Sequence, residues 1–154
     1  MEIAYLNDRP EFAPRLARLQ AEEWQHLYRE WDFAVAIAEF AVQHVDGRLP
    51  TTLIALRGAT LLGSVSLIHD DLPGWEHLNP WLASLYVLEE FRSQGIGSAL
   101  VDAAERVLLT DRIAHAYLFT EAGEAFFARL GWQRLADTTV LNSPAVVMSK
   151  TLSV

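Results

Sequence analysis

The sequence has 154 residues, 51% hydrophobic and 21% charged, which excludes a disordered chain and fits a single domain over residues 1–154. It contains no cysteine, which excludes disulfides, cysteine nucleophiles, thiolate zinc sites and iron–sulfur clusters. Its formal net charge of -8 argues against nucleic acid as a main partner, because proteins that bind phosphate backbones usually carry a basic surface.

Hydrophobic periodicity predicts six or seven strands and about four helices. In chain order these are a strand (2–7), two helices (10–31 and 32–44), a hairpin (51–56 and 60–68), a strand (81–88), a helix (96–108), a strand (113–120), a helix (121–130) and two strands (132–140 and 145–152). The strand–helix–strand order over residues 81–120 predicts parallel pairing there, and the hairpins predict antiparallel pairing elsewhere. The fold class is therefore α/β, with a mixed central sheet and helices on both faces in three layers.

The sequence shows no targeting signal and no membrane span. The N-terminus carries Glu2 and lacks a long apolar core. The most apolar stretch, Phe33 to Val42, is interrupted by Glu39 and is far shorter than the ~20 residues that a membrane helix needs. We expect a soluble, cytoplasmic protein with no membrane partner.

A loop with two glycines follows the most hydrophobic predicted strand and opens an amphipathic helix. Its sequence is Arg92-Ser93-Gln94-Gly95-Ile96-Gly97-Ser98. Gly95 and Gly97 let the backbone approach a ligand closely, and the free amides of a helix N-terminus attract anions. Arg92 adds a positive charge, so the loop is suited to bind a pyrophosphate. Leu100 stands where a dinucleotide-binding fingerprint needs a third glycine, which argues against nicotinamide or flavin. Taken alone, the two glycines also fit a tight turn with no ligand.

Two segments carry a resemblance to a known family. The run from Leu85 to Gly97 (LYVLEEFRSQGIG) resembles the central motif of the GNAT superfamily of acyl-CoA-dependent N-acyltransferases. The later run from Ala125 to Trp132 (AFFARLGW) resembles the second signature of that family. The order of the predicted elements also matches, so the resemblance covers nearly the whole chain.

The resemblance implies a GNAT-like fold and a site for acetyl-CoA. The residues that match the cofactor-binding motifs are Leu85, Tyr86, Val87, Arg92, Ser93, Gln94, Gly95, Ile96, Gly97, Ser98, Phe126 and Phe127. In this family the strand before the loop parts from its neighbour, and the pantetheine arm pairs with the strand backbone. Carried over, the amide of Val87 donates to the thioester carbonyl, where a fixed donor stabilises developing negative charge.

The family commonly uses a tyrosine to protonate the leaving thiolate, and Phe127 stands at that position here. Three alternatives stay open. In the first, another group, such as Tyr86, Tyr117 or a water, protonates the sulfur. In the second, the thiolate leaves unassisted, because a thiol pKa of ~8.5 makes it a tolerable leaving group. In the third, the domain binds acyl-CoA with little turnover.

Candidate acceptor-binding residues lie in two places. His69, Asp70 and Asp71 follow the third predicted strand. The two carboxylates are suited to attract an ammonium group, and His69 is suited to accept a proton from it. A solvated loop is the alternative explanation of these three residues. Trp24, Tyr28 and Trp31 lie near the junction of the first two helices, where the family tends to build its acceptor pocket. Packing against the sheet is the alternative for Trp24 and Tyr28. The five histidines are scattered, and no metal site is predicted.

These features together predict an N-acetyltransferase that transfers the acetyl group of acetyl-CoA to a primary amine of a small molecule or peptide, by direct attack in a ternary complex. The alternative from another class is a catalytically weak acyl-CoA-binding or sensing module. A toxin-type enzyme that acetylates aminoacyl-tRNA is disfavoured by the net charge of -8. A homodimer is implied by the family resemblance alone.

Overall fold

The computed structural model describes residues 1–24 and 33–153. Within these residues the chain forms seven strands and four α-helices. They are β1 (Glu2–Tyr5), α1 (Ala13–Trp24), α2 (Phe33–Ala41), β2 (Thr51–Arg57), β3 (Thr60–Ile68), β4 (Trp81–Val87), α3 (Ile96–Thr110), β5 (His115–Thr120), α4 (Glu124–Arg129), β6 (Gln133–Val140) and β7 (Ser143–Thr151). The order of elements is the one that the sequence predicts.

One mixed sheet of seven strands runs through the described protein, in the order β1-β2-β3-β4-β5-β7-β6. Strands β4 and β5 are parallel, and each of the other neighbouring pairs is antiparallel. The α/β fold class and the mixed pairing that the sequence predicts are therefore confirmed. Strands β4 and β5 are parallel because the connection between them contains α3, which crosses one face of the sheet and lets the chain enter both strands from the same end.

Helices cover both faces of this sheet, because alternate residues of each strand point to opposite sides. On one face, α3 and α4 bury Leu100, Leu108 and Phe127 against the sheet. On the other face, α1 and α2 bury Leu16 and Phe40 over the first strands. The loop after β3 covers the rest of that second face, where Leu72 and other apolar residues pack on the fully buried Trp81. No helix within the described ranges is long and apolar enough to cross a membrane.

Several boundaries differ from those that the sequence predicts. The first strand ends at Tyr5 rather than residue 7, because Leu6–Asp8 forms a 3-10 turn that buries Leu6 completely. A second 3-10 turn, Pro10–Phe12, precedes α1, whereas the sequence predicts one helix from Pro10. The predicted cap of the second helix, Asp32, lies outside the described residues.

The fourth helix is shorter than predicted and is held at both ends. Before it, the amide of Gly123 donates to Thr120 Oγ1 at 2.8 Å, and the helix begins at Glu124 rather than at the predicted Glu121. After it, Gly131 has φ +94°, as expected of a glycine that terminates a helix. The ammonium of Lys150, the sole lysine of the sequence, donates to Leu130 O at 2.7 Å and pairs with Glu105. These contacts fix α4 against α3 and β7.

Candidate active site

The two central parallel strands meet at one point and then part. Within the described residues, Trp81 and Tyr117 form the single register pair between β4 and β5. The amide of Tyr117 also donates to Pro80 O at 3.0 Å, on the N-terminal side of that pair. The second half of β4 therefore has a backbone edge that β5 does not cover, and a cleft opens into the middle of the sheet.

A β-bulge turns β4 away from β5. Ser64 lies opposite Tyr86 and Ser66 lies opposite Ala83, so two residues of β4 face one residue of β3. One of the two is Ser84, whose φ of +56° is rare for a residue with a side chain. Because a bulge bends its strand and increases the local twist, it accounts for the separation of β4 and β5.

The bulge also decides which backbone amides face the cleft. The amide of Leu88 donates to Leu62 O on β3 at 2.9 Å. Successive N–H groups of a strand point to opposite edges, so the N–H of Val87 points away from β3. That edge of β4 is the one from which β5 has parted, and the Val87 amide therefore faces the cleft.

The loop before α3 presents further free amides. Gly95 caps the helix in the left-handed conformation, with φ +83°, and its carbonyl accepts a hydrogen bond from the amide of Ala99 at 3.1 Å. The amides of Ile96, Gly97 and Ser98 form no hydrogen bond with any residue that the structure describes. These three N–H groups and the positive end of the helix dipole give this end of α3 a positive partial charge.

Arg92 lies beside this loop and bonds to β4. Its Nε donates to Val87 O at 2.8 Å, and its guanidinium carbon lies 5.7 Å from the ring centroid of Tyr86. The rings of Trp24 and Tyr86 also meet edge to face, with ring centroids 5.9 Å apart. Burial, followed by the charge of Glu23, raises the pKa of Tyr86, and Arg92 opposes this shift. The phenol therefore stays protonated at neutral pH.

A first cavity, which we call the loop cleft, has a volume of about 620 Å³. It is bordered by the second half of β4, the loop before α3 and the outer side of α4. Ten of the predicted cofactor-binding residues border it: Leu85, Tyr86, Val87, Arg92, Ser93, Gly95, Ile96, Gly97, Ser98 and Phe126. Of the other two, Gln94 does not border the loop cleft, and Phe127 lies elsewhere.

A second cavity, which we call the acidic cavity, also measures about 620 Å³. It lies between α2, the end of β3, the first half of β4 and the end of β5. Its titratable residues are Glu39, His69, Asp70, Asp71 and Glu121, and no lysine or arginine occurs among its described lining residues. Trp24 and Leu85 border both cavities, so the acidic cavity and the loop cleft meet at these two side chains.

Comparison with known proteins decides the family. The chain matches the model of the acetyltransferase (GNAT) family over residues 13–132. The protein belongs to the acetyltransferase (GNAT) family. A stretch of 54 residues is 41% identical to an uncharacterized N-acetyltransferase of Chlorobaculum tepidum, covering 35% of this chain and about a third (34%) of that relative.

Solved structures of GNAT proteins share the fold over nearly the whole chain. An aminoglycoside 6'-N-acetyltransferase complexed with coenzyme A has a TM-score of 0.78 at 18% identity, covering 98% of this chain and 97% of that chain. An aminoglycoside 6'-N-acetyltransferase from Enterococcus faecium gives 0.74 at 17% identity, with 98% and 97% covered. A ribosomal-protein-alanine N-acetyltransferase from Brucella melitensis gives 0.73 at 17% identity, with 99% and 100% covered.

The second GNAT signature contributes two aromatic residues with different surroundings. Phe126 borders the loop cleft, and its Cζ would lie 3.3 Å from a Cβ built on Gly97. Phe127 is only 7% exposed, packs against Trp132 and borders the acidic cavity instead. The two phenylalanine rings meet edge to face with centroids 5.0 Å apart. The position at which the family commonly has its tyrosine thus carries no proton donor.

The remaining predicted residues are distributed as follows. His69, Asp70 and Asp71 all border the acidic cavity, as does Trp24. Tyr117 packs on Trp81, with ring centroids 6.0 Å apart, and borders neither of the two cavities. Tyr28 and Trp31 lie outside the described residues. Among the residues that the structure describes, no group of three or more acidic or histidine side chains is arranged to hold a metal ion.

The two carboxyl groups that follow β3, those of Asp70 and Asp71, differ in their environment. His69 Nδ1 lies 3.1 Å from Asp70 Oδ2, and both side chains are mostly exposed, at 67% and 51%. Asp71 is partly buried, and burial together with the nearby charge of Glu39 raises its pKa to about 7. At neutral pH, Asp71 is therefore divided between its protonated and ionised forms.

Sequence reasoning missed some residues that shape these cavities. Glu39 was visible as the one acidic residue inside the apolar run from Phe33 to Val42, and a charge at that place can indicate a cavity wall. Glu121 is read from the sequence as part of a helix, but it precedes α4 and borders the acidic cavity. Ser84 gave no sequence signal, because bulge positions are usually sought at glycines.

Proposed function

We propose that the protein is an N-acetyltransferase that moves the acetyl group of acetyl-CoA to a primary amine by direct attack in a ternary complex. The observation that carries this proposal is the junction of two cavities at Trp24 and Leu85. One cavity suits an anionic cofactor and the other suits a cationic amine. The junction is the place where a thioester and an amine would meet without a covalent enzyme intermediate.

The residues around the loop cleft fit coenzyme A. The free amides of Ile96, Gly97 and Ser98, with Arg92 beside them, would hold the pyrophosphate. A Cβ at position 97 would lie 3.3 Å from Phe126, so the glycine keeps this surface open. The uncovered edge of β4, from Leu85 to Val87, would pair with the amides of the pantetheine arm.

Bound acetyl-CoA supplies an acyl group that is activated as a thioester. The Val87 N–H would donate to the carbonyl oxygen of that thioester, and donors of this kind contribute about 2.7–4 kcal/mol of transition-state stabilisation. Tyr86, which borders the loop cleft and stays protonated, would give its proton to the departing sulfur. Phe127 borders the adjoining acidic cavity instead, where its ring contributes apolar surface.

A steady-state assay tests the proposal. Purified protein is incubated with acetyl-CoA and a panel of small amines and peptides, and released coenzyme A is detected through its thiol. Turnover with at least one amine supports the enzyme. Tight acetyl-CoA binding by calorimetry with no turnover on any amine would support the binding-module alternative, which Phe127 favours because it lacks a proton donor. An oligomeric state such as the homodimer stays a prediction of the family resemblance.

Replacing Arg92 with glutamine is expected to weaken acetyl-CoA binding about 10-fold and to reduce the salt dependence of that binding. The reason is the loss of a charge-assisted contact to the pyrophosphate, which contributes about 1.5–3 kcal/mol when it is well formed. Calorimetric titration at low and high salt measures both effects.

The matched control for this variant is Arg106→Gln on α3. Arg106 is 77% exposed, pairs with Asp102 and borders neither cavity. The control removes the same charge, so equal losses of affinity in the two variants would mean that net charge, rather than Arg92, attracts the cofactor.

A further inference from the structure

The wall of the acidic cavity contains two acceptor groups that have no partner among the described residues. Asp71 follows β3, and no hydrogen bond or ion pair with the described chain holds its carboxylate. Gln43 borders the same cavity just after α2, and its buried Oε1 accepts no hydrogen bond from the residues that the structure describes. The Gln43 oxygen has lost its hydrogen bonds to water without gaining a donor from the described protein, which is unfavourable. A ligand that brings N–H groups into this cavity would therefore be favoured.

The other titratable groups around Asp71 are Glu39 from α2, His69 and Asp70 at the end of β3, and Glu121 before α4. His69 and Asp70 pair with each other in a largely exposed position, where water screens their charges. Asp71 is more enclosed, and Glu39 acts on it through its negative charge. Both effects strengthen the affinity of the Asp71 carboxylate for a proton.

We propose that Asp71 is the general base of the acetyl transfer and that the side-chain carbonyl of Gln43 orients the acceptor amine. This inference rests on the proposed N-acetyltransferase function and replaces His69, the base that the sequence suggests. Asp71 borders the cavity that opens onto Leu85 and the uncovered edge of β4, and no described partner competes for its carboxylate.

The proton balance of the step is as follows. The Asp71 carboxylate takes one proton from the acceptor ammonium, and the freed lone pair forms the N–C bond as the C–S bond breaks. The nitrogen loses a second proton to solvent, and the thiolate takes one from Tyr86, which solvent reprotonates. Asp71 then passes its proton to solvent, which restores the carboxylate. The products are an acetamide, a thiol and one released proton.

The acidity of Asp71 suits this role. An alkylamine has a pKa near ~10.4 and is charged at neutral pH, so attack needs a base. A base works best when its own pKa lies near the working pH, and the pKa of Asp71 is about 7. Because the base must be ionised, the ionisation of Asp71 should make kcat/KM rise with pH up to about 7. Above that pH, Asp71 should cause no further change.

The first test compares pH profiles of kcat/KM for the wild type, Asp71→Asn and Asp71→Glu with the best amine of the panel. We expect kcat/KM of the wild type to rise with pH up to about 7, and we call this rise the limb. Asp71→Asn should lose the limb, and its kcat/KM should fall about 100–1,000-fold. Asp71→Glu should retain the limb. The matched control is Asp70→Asn, the same change at the adjacent residue of the same cavity. It should keep the limb and alter mainly KM.

A second measurement separates proton removal from structural damage. An analogue of the same amine with a trifluoromethyl group on the amine-bearing carbon is mostly neutral at pH 7, because the fluorines lower the amine pKa, and it needs no base before it attacks. Asp71→Asn should therefore lose at least 10 times less activity with the fluorinated amine than with the parent amine. Equal losses with both amines would overturn the assignment.

Folding is checked by the Tm of the same variants at pH 5 and pH 8. The folded pKa of Asp71 is raised above its unfolded value, so the folded state binds more protons between about pH 4 and 7, and stability falls as pH rises through that window. The difference in Tm between Asp71→Asn and the wild type should therefore be more favourable to the variant at pH 8 than at pH 5. A lower Tm at both pH values would reassign Asp71 to a structural role.

The outcomes distinguish this inference from the function on which it rests. Wild-type turnover combined with a persisting pH limb in Asp71→Asn overturns the base assignment and leaves the acetyltransferase in place. If the wild type turns over no amine at all, the proposed function and the base assignment both fall.

Discussion

Replacing Gly97 with valine is expected to weaken acetyl-CoA binding by at least about 100-fold, or about 2.8 kcal/mol. Gly97 lies in the first turn of α3 and borders the loop cleft. A Cβ there would be 3.3 Å from Phe126 Cζ and 3.7 Å from Val87 Cγ2, which leaves no room for two further methyl groups. The valine would displace Phe126 or extend into the space that the pyrophosphate needs. Calorimetric titration with acetyl-CoA measures the loss.

Ala99→Val serves as the control, because it places the same β-branched residue two positions further along α3, where the side chain borders neither cavity. Its affinity for acetyl-CoA should stay within a few-fold of the wild type. Undiminished binding by Gly97→Val would show that the cofactor does not use this loop. A comparable loss in both variants would trace the effect to the helix itself.

Replacing Tyr86 with phenylalanine is expected to lower kcat about 100-fold while the acetyl-CoA dissociation constant stays nearly constant. Phenylalanine preserves the ring that contacts Trp24 and Arg92, so it removes the hydroxyl and little else. General acid–base groups contribute ~10²–10⁴-fold, and a thiolate is a tolerable leaving group, which places the effect at the lower end. Single-turnover kinetics with saturating acetyl-CoA isolates the chemical step.

Tyr117→Phe is the informative comparison, since both tyrosines are candidate proton donors from the sequence. Tyr117 packs on Trp81 and borders neither cavity, so its variant should keep the wild-type rate. A loss confined to Tyr117→Phe would transfer the role to that residue. Wild-type rates in both variants would mean that the thiolate leaves without a donor from either tyrosine.

Local signals in the sequence were sufficient for the order of elements and for the loop before α3. The alternation or periodicity of apolar residues indicates which face of a strand or helix is buried, and a short segment of sequence is enough to show this pattern. Gly131 shows the same locality, because the end of a helix needs only a residue that tolerates a positive φ. These features were confirmed because no distant contact is needed to specify them.

The features that sequence reasoning could not supply all depend on distant contacts. The bulge at Ser84 is set by pairing with β3, and the serine itself gives no indication of its φ of +56°. Period two places His115 and Tyr117 on one side of β5, but only the packed sheet shows that Tyr117 meets Trp81. The elevated pKa of Asp71 arises from burial and from Glu39, which is 32 positions earlier in the chain.

The single register pair between β4 and β5 has a consequence for the motions of the sheet. Central strands normally contain the amide hydrogens that exchange most slowly with solvent, because neighbours on both sides protect them. Here the Val87 N–H lies in the middle of a seven-stranded sheet and yet faces an uncovered edge, so its deuterium uptake should resemble that of an outer strand. Acetyl-CoA would then act as a missing strand, and saturating the protein with it should slow this one exchange more than any in β2 or β3.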